Sequence, residues 1–266
     1  MSMHFISGLP RSGSTLLASI LKQNPEFHAS IMSPVGRMVT GMVGLMGADN
    51  EAATFITDYA RERVLRGIFE NFYEDIHTDF IFDNNRRWCA NIDLLAHLYP
   101  SCKIICCVRS PAAIVDSFER LHRSHPLQVS VIYGEQPNLT VYDRVNEVLK
   151  PGSVLGYALN AFRDAFYGPQ RNRMLVVNYE DLCRFPKDVL GEIHLALKAP
   201  AFAYRFDKID PIEGAAKFDG ELGATGLHDL KPKVVYESRT TVLPPDIYSS
   251  LPPPFWRLKE AATSAA

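Results

Sequence analysis

Short apolar runs and amphipathic stripes take turns along this chain. Met3-His4-Phe5-Ile6 is a compact apolar run and reads as a buried strand. Leu16, Leu17, Ile20 and Leu21 follow at helical spacing, and Asn24-Pro25 ends that helix. Residues 26–30 are a second, shorter strand. Between 51 and 77, Phe55, Ile56, Tyr59, Val64, Leu65, Ile68, Phe69 and Phe72 recur at threes and fours, which predicts one long amphipathic helix. Residues 79–83 and 103–108 are strands, each followed by a helical stripe, over 91–99 and 112–122. Residues 124–137 are polar and irregular. A helix over 153–167 and a strand over 174–178 complete the regular pattern. From about residue 212 the texture changes to scattered glycines and a Pro252-Pro253-Pro254 run, which predicts an extension packed on a single domain spanning 1–266. No internal repeat is visible. Strands alternating with helices predict an α/β three-layer sandwich around a central parallel sheet, with ligands at the carboxyl ends of the strands.

Composition adds bounds. With 47% hydrophobic and 22% charged residues the chain matches a soluble globular protein. A net charge of −2 gives no global attraction to nucleic acid, so an anion site has to come from local placement of arginines. No basic segment precedes an apolar one at the N-terminus, so no secretory signal is expected. No apolar run reaches the roughly 18 residues of a membrane span. The five cysteines, Cys89, Cys102, Cys106, Cys107 and Cys183, have no framework spacing, which predicts reduced core thiols and a cytoplasmic location. Cys106 and Cys107 are neighbours in a strand, so they face opposite ways and do not make a metal pair.

The candidate chemistry starts between the first strand and the first helix. Gly8, Pro10 and Gly13 make a tight loop, and Ser14-Thr15 opens the helix. Backbone N–H groups of such a loop converge with the positive end of the helix on one point, where an anion binds. The architecture is that of P-loop nucleotide hydrolases, but Ser14 stands where a P-loop carries lysine. No strand ends in the acidic pair that would hold Mg²⁺, so a nucleoside triphosphate fits poorly. Polar residues after the other strands share the same rim: Asp83 and Arg86, Arg109 and Ser110, Tyr179 and Glu180. Guanidinium forks there suit phosphate or sulfate oxygens. Each has a purely structural reading as well: Arg109 as the ion-pair partner of a neighbouring loop, Asp83 and Tyr179 as packing residues.

Leu9-Pro10-Arg11-Ser12-Gly13-Ser14-Thr15, Arg109 with Ser117 eight positions on, and Val177-Asn178-Tyr179-Glu180-Asp181-Leu182 together resemble the sulfotransferases that use 3′-phosphoadenosine 5′-phosphosulfate (PAPS). The motifs agree in order over residues 5 to about 185. The form of the loop looks more like the tyrosylprotein and carbohydrate branch; the run from Phe5 to Leu17 is similar to bacterial cytoplasmic sulfotransferases, and Leu227 to Lys233 also looks like that group. The resemblance implies PAPS as co-substrate, with no metal, and an acceptor hydroxyl on a peptide tyrosine, phenol or sugar. It implies that Pro10, Arg11, Ser12, Gly13, Ser14 and Thr15 hold the 5′-phosphosulfate. Arg109 and Ser117 would grip the 3′-phosphate, with Arg120 or Arg123, and Tyr179 would lie near the nucleotide. Arg11 and Arg86 would neutralise charge as the sulfuryl group moves. The branch's glutamate base has no counterpart in Ser30-Ile31-Met32-Ser33-Pro34; Asp83, His28 and His122 are the groups left, with Asp83 favoured as catalytic and orientation of Arg86 its other role. Residues 38–47 and 124–137 are candidate acceptor loops, and a homodimer is left open. The competing readings are a P-loop nucleotide kinase or NTPase, and a non-catalytic nucleotide-binding protein.

Overall fold

The strands β1 (Ser2–Gly8), β2 (Phe27–Ala29), β3 (Phe80–Asn84), β4 (Ile104–Val108) and β5 (Met174–Asn178) lie where the apolar runs predict them. They come from a computed structural model that describes residues 2–47, 50–134, 136 and 139–257. All pair in parallel, in the order β2-β3-β1-β4-β5. Successive side chains alternate between faces. Phe5, Ile81, Ile104 and Cys106 enter one core, and Ile6, Phe82, Ile105 and Cys107 enter the other. The adjacent cysteines thus part company as expected. The helices are α1 (Ser14–Leu21), α2 (Val35–Leu45), α3 (Asp58–Phe72), α4 (Ile92–Leu98), α5 (Pro111–Ser124), α6 (Val141–Leu149), α7 (Gly156–Tyr167), α8 (Tyr179–Arg184), α9 (Pro186–Leu197), α10 (Ala215–Glu221) and α11 (Pro245–Ser250). They cover both faces of the sheet, giving the predicted α/β sandwich. Among the described residues, no helix is long and apolar enough to cross a membrane.

Two expectations change. The stripe over 51–77 is a 3₁₀ turn, Glu51–Phe55, followed by α3. The break occurs because Thr57 Oγ1 accepts the Ala60 N–H at 3.2 Å and so caps a new helix. The irregular stretch 124–137 contains a 3₁₀ turn at Val131–Tyr133, while its residues 135 and 137 lie outside the described part.

The end of the chain, described to residue 257, is tied to the carboxyl edge of the sheet. Asp116 on α5 accepts the Val242 N–H at 2.7 Å and the Thr241 hydroxyl at 2.8 Å. Trp256 Nε1 donates to Asn178 Oδ1 at 3.1 Å, and the Phe255 and Trp256 rings lie against Phe162 of α7. Upstream, the Leu222 carbonyl accepts from Val131 N–H and Ser130 Oγ. The segment around α10 is thereby held over the mouth of the sheet.

Candidate functional site

Strand order sets the position of the site. The chain leaves β1 toward β3 and β2 on one side and toward β4 and β5 on the other, so a crevice opens beyond the carboxyl ends of β1 and β4. The loop after β1 enters it under tight constraint. The Leu9 N–H donates to the Cys107 carbonyl at 2.8 Å. Gly8 has φ +106°, and a Cβ there would lie 2.2 Å from the Cys107 carbonyl oxygen, so only glycine fits. Arg11, at φ +57°, is a non-glycine residue in the left-handed region, a conformation that costs energy and is concentrated at functional loops. Gly13 then caps α1, and Ser14 and Thr15 begin it beside the cavity.

Register brings the remaining groups to the loop. Val108 pairs with Asn178, so Arg109 and Tyr179 leave adjacent strands side by side. The Arg109 guanidinium carbon lies 4.4 Å from the Tyr179 ring centroid, a cation–π contact. The other edge of that ring approaches Gly13, where a Cβ would be 2.8 Å from Tyr179 Cδ2. Burial and the neighbouring Cys183 push the Tyr179 hydroxyl up to about 12, so the ring acts as a neutral wedge. Arg109 Nε sits 3.7 Å from Glu180 Oε1, and it is buried with no hydrogen-bond partner among the described residues. A buried donor without a hydrogen bond is rare, and here the charge of Glu180 faces it. Arg11 Nε donates to Ser117 Oγ at 3.0 Å, which joins the loop to α5. Burial, then the charge of Arg109, lowers the Arg11 guanidinium from its ordinary value.

These residues line a cavity of about 1270 Å³, which Arg86 also enters. A second space of about 980 Å³ continues from it past Arg109 and Ser117. Pro10 lines the first, whereas Ser12 is buried, with its hydroxyl donating to the Pro10 carbonyl at 3.2 Å. Arg120 lines the second space while paired with Asp116 at 2.7 Å. Arg123 lines neither; it is committed to Glu119 at 2.7 Å and the Val242 carbonyl.

The expectation of a base at Asp83 is corrected. Phe5 and Asp83 are register partners, so the carboxylate points into the aromatic core on the Phe5 face. It is fully buried and does not line the cavity. Trp88 Nε1 donates to one oxygen at 2.7 Å; Ser33 Oγ and Tyr73 Oη donate to the other at 2.5 and 2.7 Å. Burial holds this carboxyl above the usual range despite the three donors. Its contacts fix the turn that carries Arg86, and no ion pair joins the two. His28, stacked edge-on against Tyr73, and His122, against Tyr133, are also absent from the lining.

The cavity holds groups that sequence reasoning did not single out. Arg37 and Arg87 line it from α2 and from the turn after β3, and Glu147 from α6. His228, Lys231, Lys233 and Arg239 come from the segment after α10. His228 Nδ1 meets Asp219 Oδ1 at 2.5 Å, and its backbone N–H donates to Oδ2 at 2.8 Å. The sequence hinted at part of this segment only through the resemblance of Leu227 to Lys233 to a family, without assigning a role to any of its residues. Taken together, the arrangement can bind a polyanion along the glycine loop and the arginine rim, with an open side toward α2 and α6.

A family model described as sulfotransferase family matches residues 4–202. No curated protein matches the chain. Among solved structures, a sulfotransferase domain from the curacin biosynthetic pathway superposes with a TM-score of 0.50 at 18% identity, covering 76% of this chain and 75% of that one. A sulfotransferase domain from the Synechococcus PCC 7002 olefin synthase gives 0.44 at 22% identity, covering 76% and 74%. A sulfotransferase from Alicyclobacillus acidocaldarius gives 0.49 at 15%, covering 77% and 84%. The first of these likenesses speaks for the fold and for nothing finer.

Proposed function

The chain belongs to the sulfotransferase family, and from that premise we propose that it moves a sulfuryl group from PAPS to an acceptor hydroxyl. The observation that carries the donor assignment is the Arg109 guanidinium lining the cavity beside a glycine loop with no lysine. Its fork supplies donors for an anionic oxygen, and position 14 offers a neutral hydroxyl where a triphosphate would need a cation. The two glycines at which a Cβ would collide keep the loop backbone close to whatever lies on it.

In this reading the loop N–H groups and the Ser14 and Thr15 hydroxyls hold the 5′-phosphate. Arg109, with Ser117, takes the 3′-phosphate, and Tyr179 keeps the Arg109 plane in place. PAPS, when bound, supplies an electrophilic sulfuryl group and a bisphosphate leaving group. Arg11, on the strained loop, and Arg86 offset the negative charge that shifts during transfer; as arginines they stay protonated and act through charge alone. The acceptor enters from the side of α2 and α6, and a peptide tyrosine, a phenol and a sugar hydroxyl are the classes proposed.

Calorimetric titration with adenosine 3′,5′-bisphosphate and with ATP tests the donor site; tighter binding of the bisphosphate is expected. Preference for ATP would replace the reading with a kinase or NTPase. Transfer of labelled sulfate to a panel of phenols, tyrosyl peptides and sugars tests catalysis, and binding without any transfer would leave a non-catalytic nucleotide-binding protein.

A further inference from the structure

The cavity wall contains one carboxylate–imidazole pair whose geometry is organised for moving a proton. Asp219 is 1% exposed, and both of its oxygens are spent on one residue. Oδ2 accepts the backbone N–H of His228 at 2.8 Å, and Oδ1 meets Nδ1 at 2.5 Å. A carboxylate only accepts, so Nδ1 carries a proton, and in the neutral imidazole the lone pair then sits on Nε2. Nε2 has no hydrogen-bond partner among the described residues, and the imidazole lines the cavity with 16% of its side chain exposed. Phe218 packs against the ring at 5.5 Å and limits its rotation. A buried acid that holds one tautomer and one orientation, while the far nitrogen faces a ligand space, is how general bases are built.

The surroundings favour this pair over the other acids on the wall. Glu147 is engaged by Lys150, and Glu237 by Lys231 and Arg239. Asp229 is exposed. The charges of Asp219 and Asp229 act on Arg11, which puts the pair within electrostatic reach of the strained loop. The groups shown against His228 are Asp219 and Phe218 from α10, with Asp229 next to it in its own segment.

We propose that His228, oriented by Asp219, accepts the proton of the acceptor hydroxyl. This rests on the sulfuryl-transfer reading. The acceptor O–H bond breaks as the acceptor oxygen bonds to sulfur, and the proton goes to Nε2. The electron pair of the breaking sulfur–oxygen bond leaves with the 5′-phosphate, and the imidazolium then returns its proton to solvent. Asp219 is a positioning residue.

The test compares two acceptors, a tyrosyl peptide whose hydroxyl is un-ionised and a nitrophenol already ionised at the assay pH. Only the first needs a base. His228→Gln is expected to slow transfer to the peptide by roughly 10²-fold or more and to leave transfer to the nitrophenolate and the binding of adenosine 3′,5′-bisphosphate nearly unchanged. Imidazole ¹⁵N NMR of the free protein, which needs no turnover, is expected to show the Nδ1–H tautomer, lost in Asp219→Asn. Equal losses on both acceptors, or weakened nucleotide binding with unchanged turnover, would overturn the proposal. So would an Nε2–H tautomer in the wild type, a test that holds even if both variants misfold. A wild type that neither binds the bisphosphate nor transfers sulfate removes the functional reading itself, and the base assignment with it.

Discussion

The two walls of the cavity are assembled by different means. The wall holding the loop, Arg109 and Tyr179 consists of residues that follow directly on β1, β4 and β5, and strand register alone makes them neighbours. Gly8 touches the Cys107 backbone, Gly13 touches Tyr179, and Tyr179 touches Arg109. The opposite wall is gathered from α2, the turn after β3, α6 and the segment after α10, which meet only through long-range packing. The buried Arg144–Glu119 pair, at 2.8 Å, helps hold α6 against α5 on that side. A wall set by register tolerates little change. One set by packed loops can vary without disturbing the sheet.

Breaking the register-built wall should have the largest consequence. Gly8→Ala places a Cβ on the Cys107 carbonyl at a positive φ. We expect a loss of about 3 kcal/mol or more, read as a drop of roughly 6–12 °C in thermal melting. An unchanged melt would mean that the loop has room the geometry denies it. Arg11→Ala should leave the fold intact and reduce sulfuryl transfer by about 10²–10³-fold, measured with labelled sulfate; undiminished turnover would sink its proposed role. Arg109→Ala should weaken binding of adenosine 3′,5′-bisphosphate by roughly 10–100-fold, the scale of a lost charge-assisted contact, with a smaller effect on turnover at saturation. A calorimetric titration separates the two arginines, since only the second should change affinity strongly.

Asp83 sharpens the comparison from beneath the opposite wall. Its folded carboxyl is held above the usual range by burial. The folded chain therefore binds that proton more tightly than the unfolded chain does. This contribution favours folding at pH values below the unfolded value of about 3.9, and it is lost as pH rises through the folded value. Asp83→Asn removes the titration and also leaves one of three donors without an acceptor, at roughly 1–3 kcal/mol. Melting followed upward from about pH 4 should fall more in the wild type than in the variant. Parallel curves would refute the raised carboxyl.

Much of this was legible in the chain itself. Every strand lies where the sequence places one, and all but the short β2 lie on largely apolar runs, because buried parallel strands need apolar residues on both faces. The glycine loop, and the meeting of Arg109 and Tyr179 with it, follow from local punctuation and from the rule that strand ends share a rim; Ser117 came only from the resemblance to a family. Residues whose roles depend on a partner far along the chain were not legible. Asp83 closes a strand as a rim residue would, yet pairing with Phe5 turns it into the core. Arg123 lies on the helix that follows Arg109, but α5 presents it to Glu119 and Val242. His228 and Asp219 stand in a glycine-broken stretch without periodicity, and only the packing of α10 against the mouth of the sheet joins them. Local patterning is a property of neighbours in sequence, so hydrophobic period and turn chemistry determined the sheet and its glycine loop. Which face a polar side chain takes, and which charge neutralises it, is a property of neighbours in space, and the tertiary structure decided both.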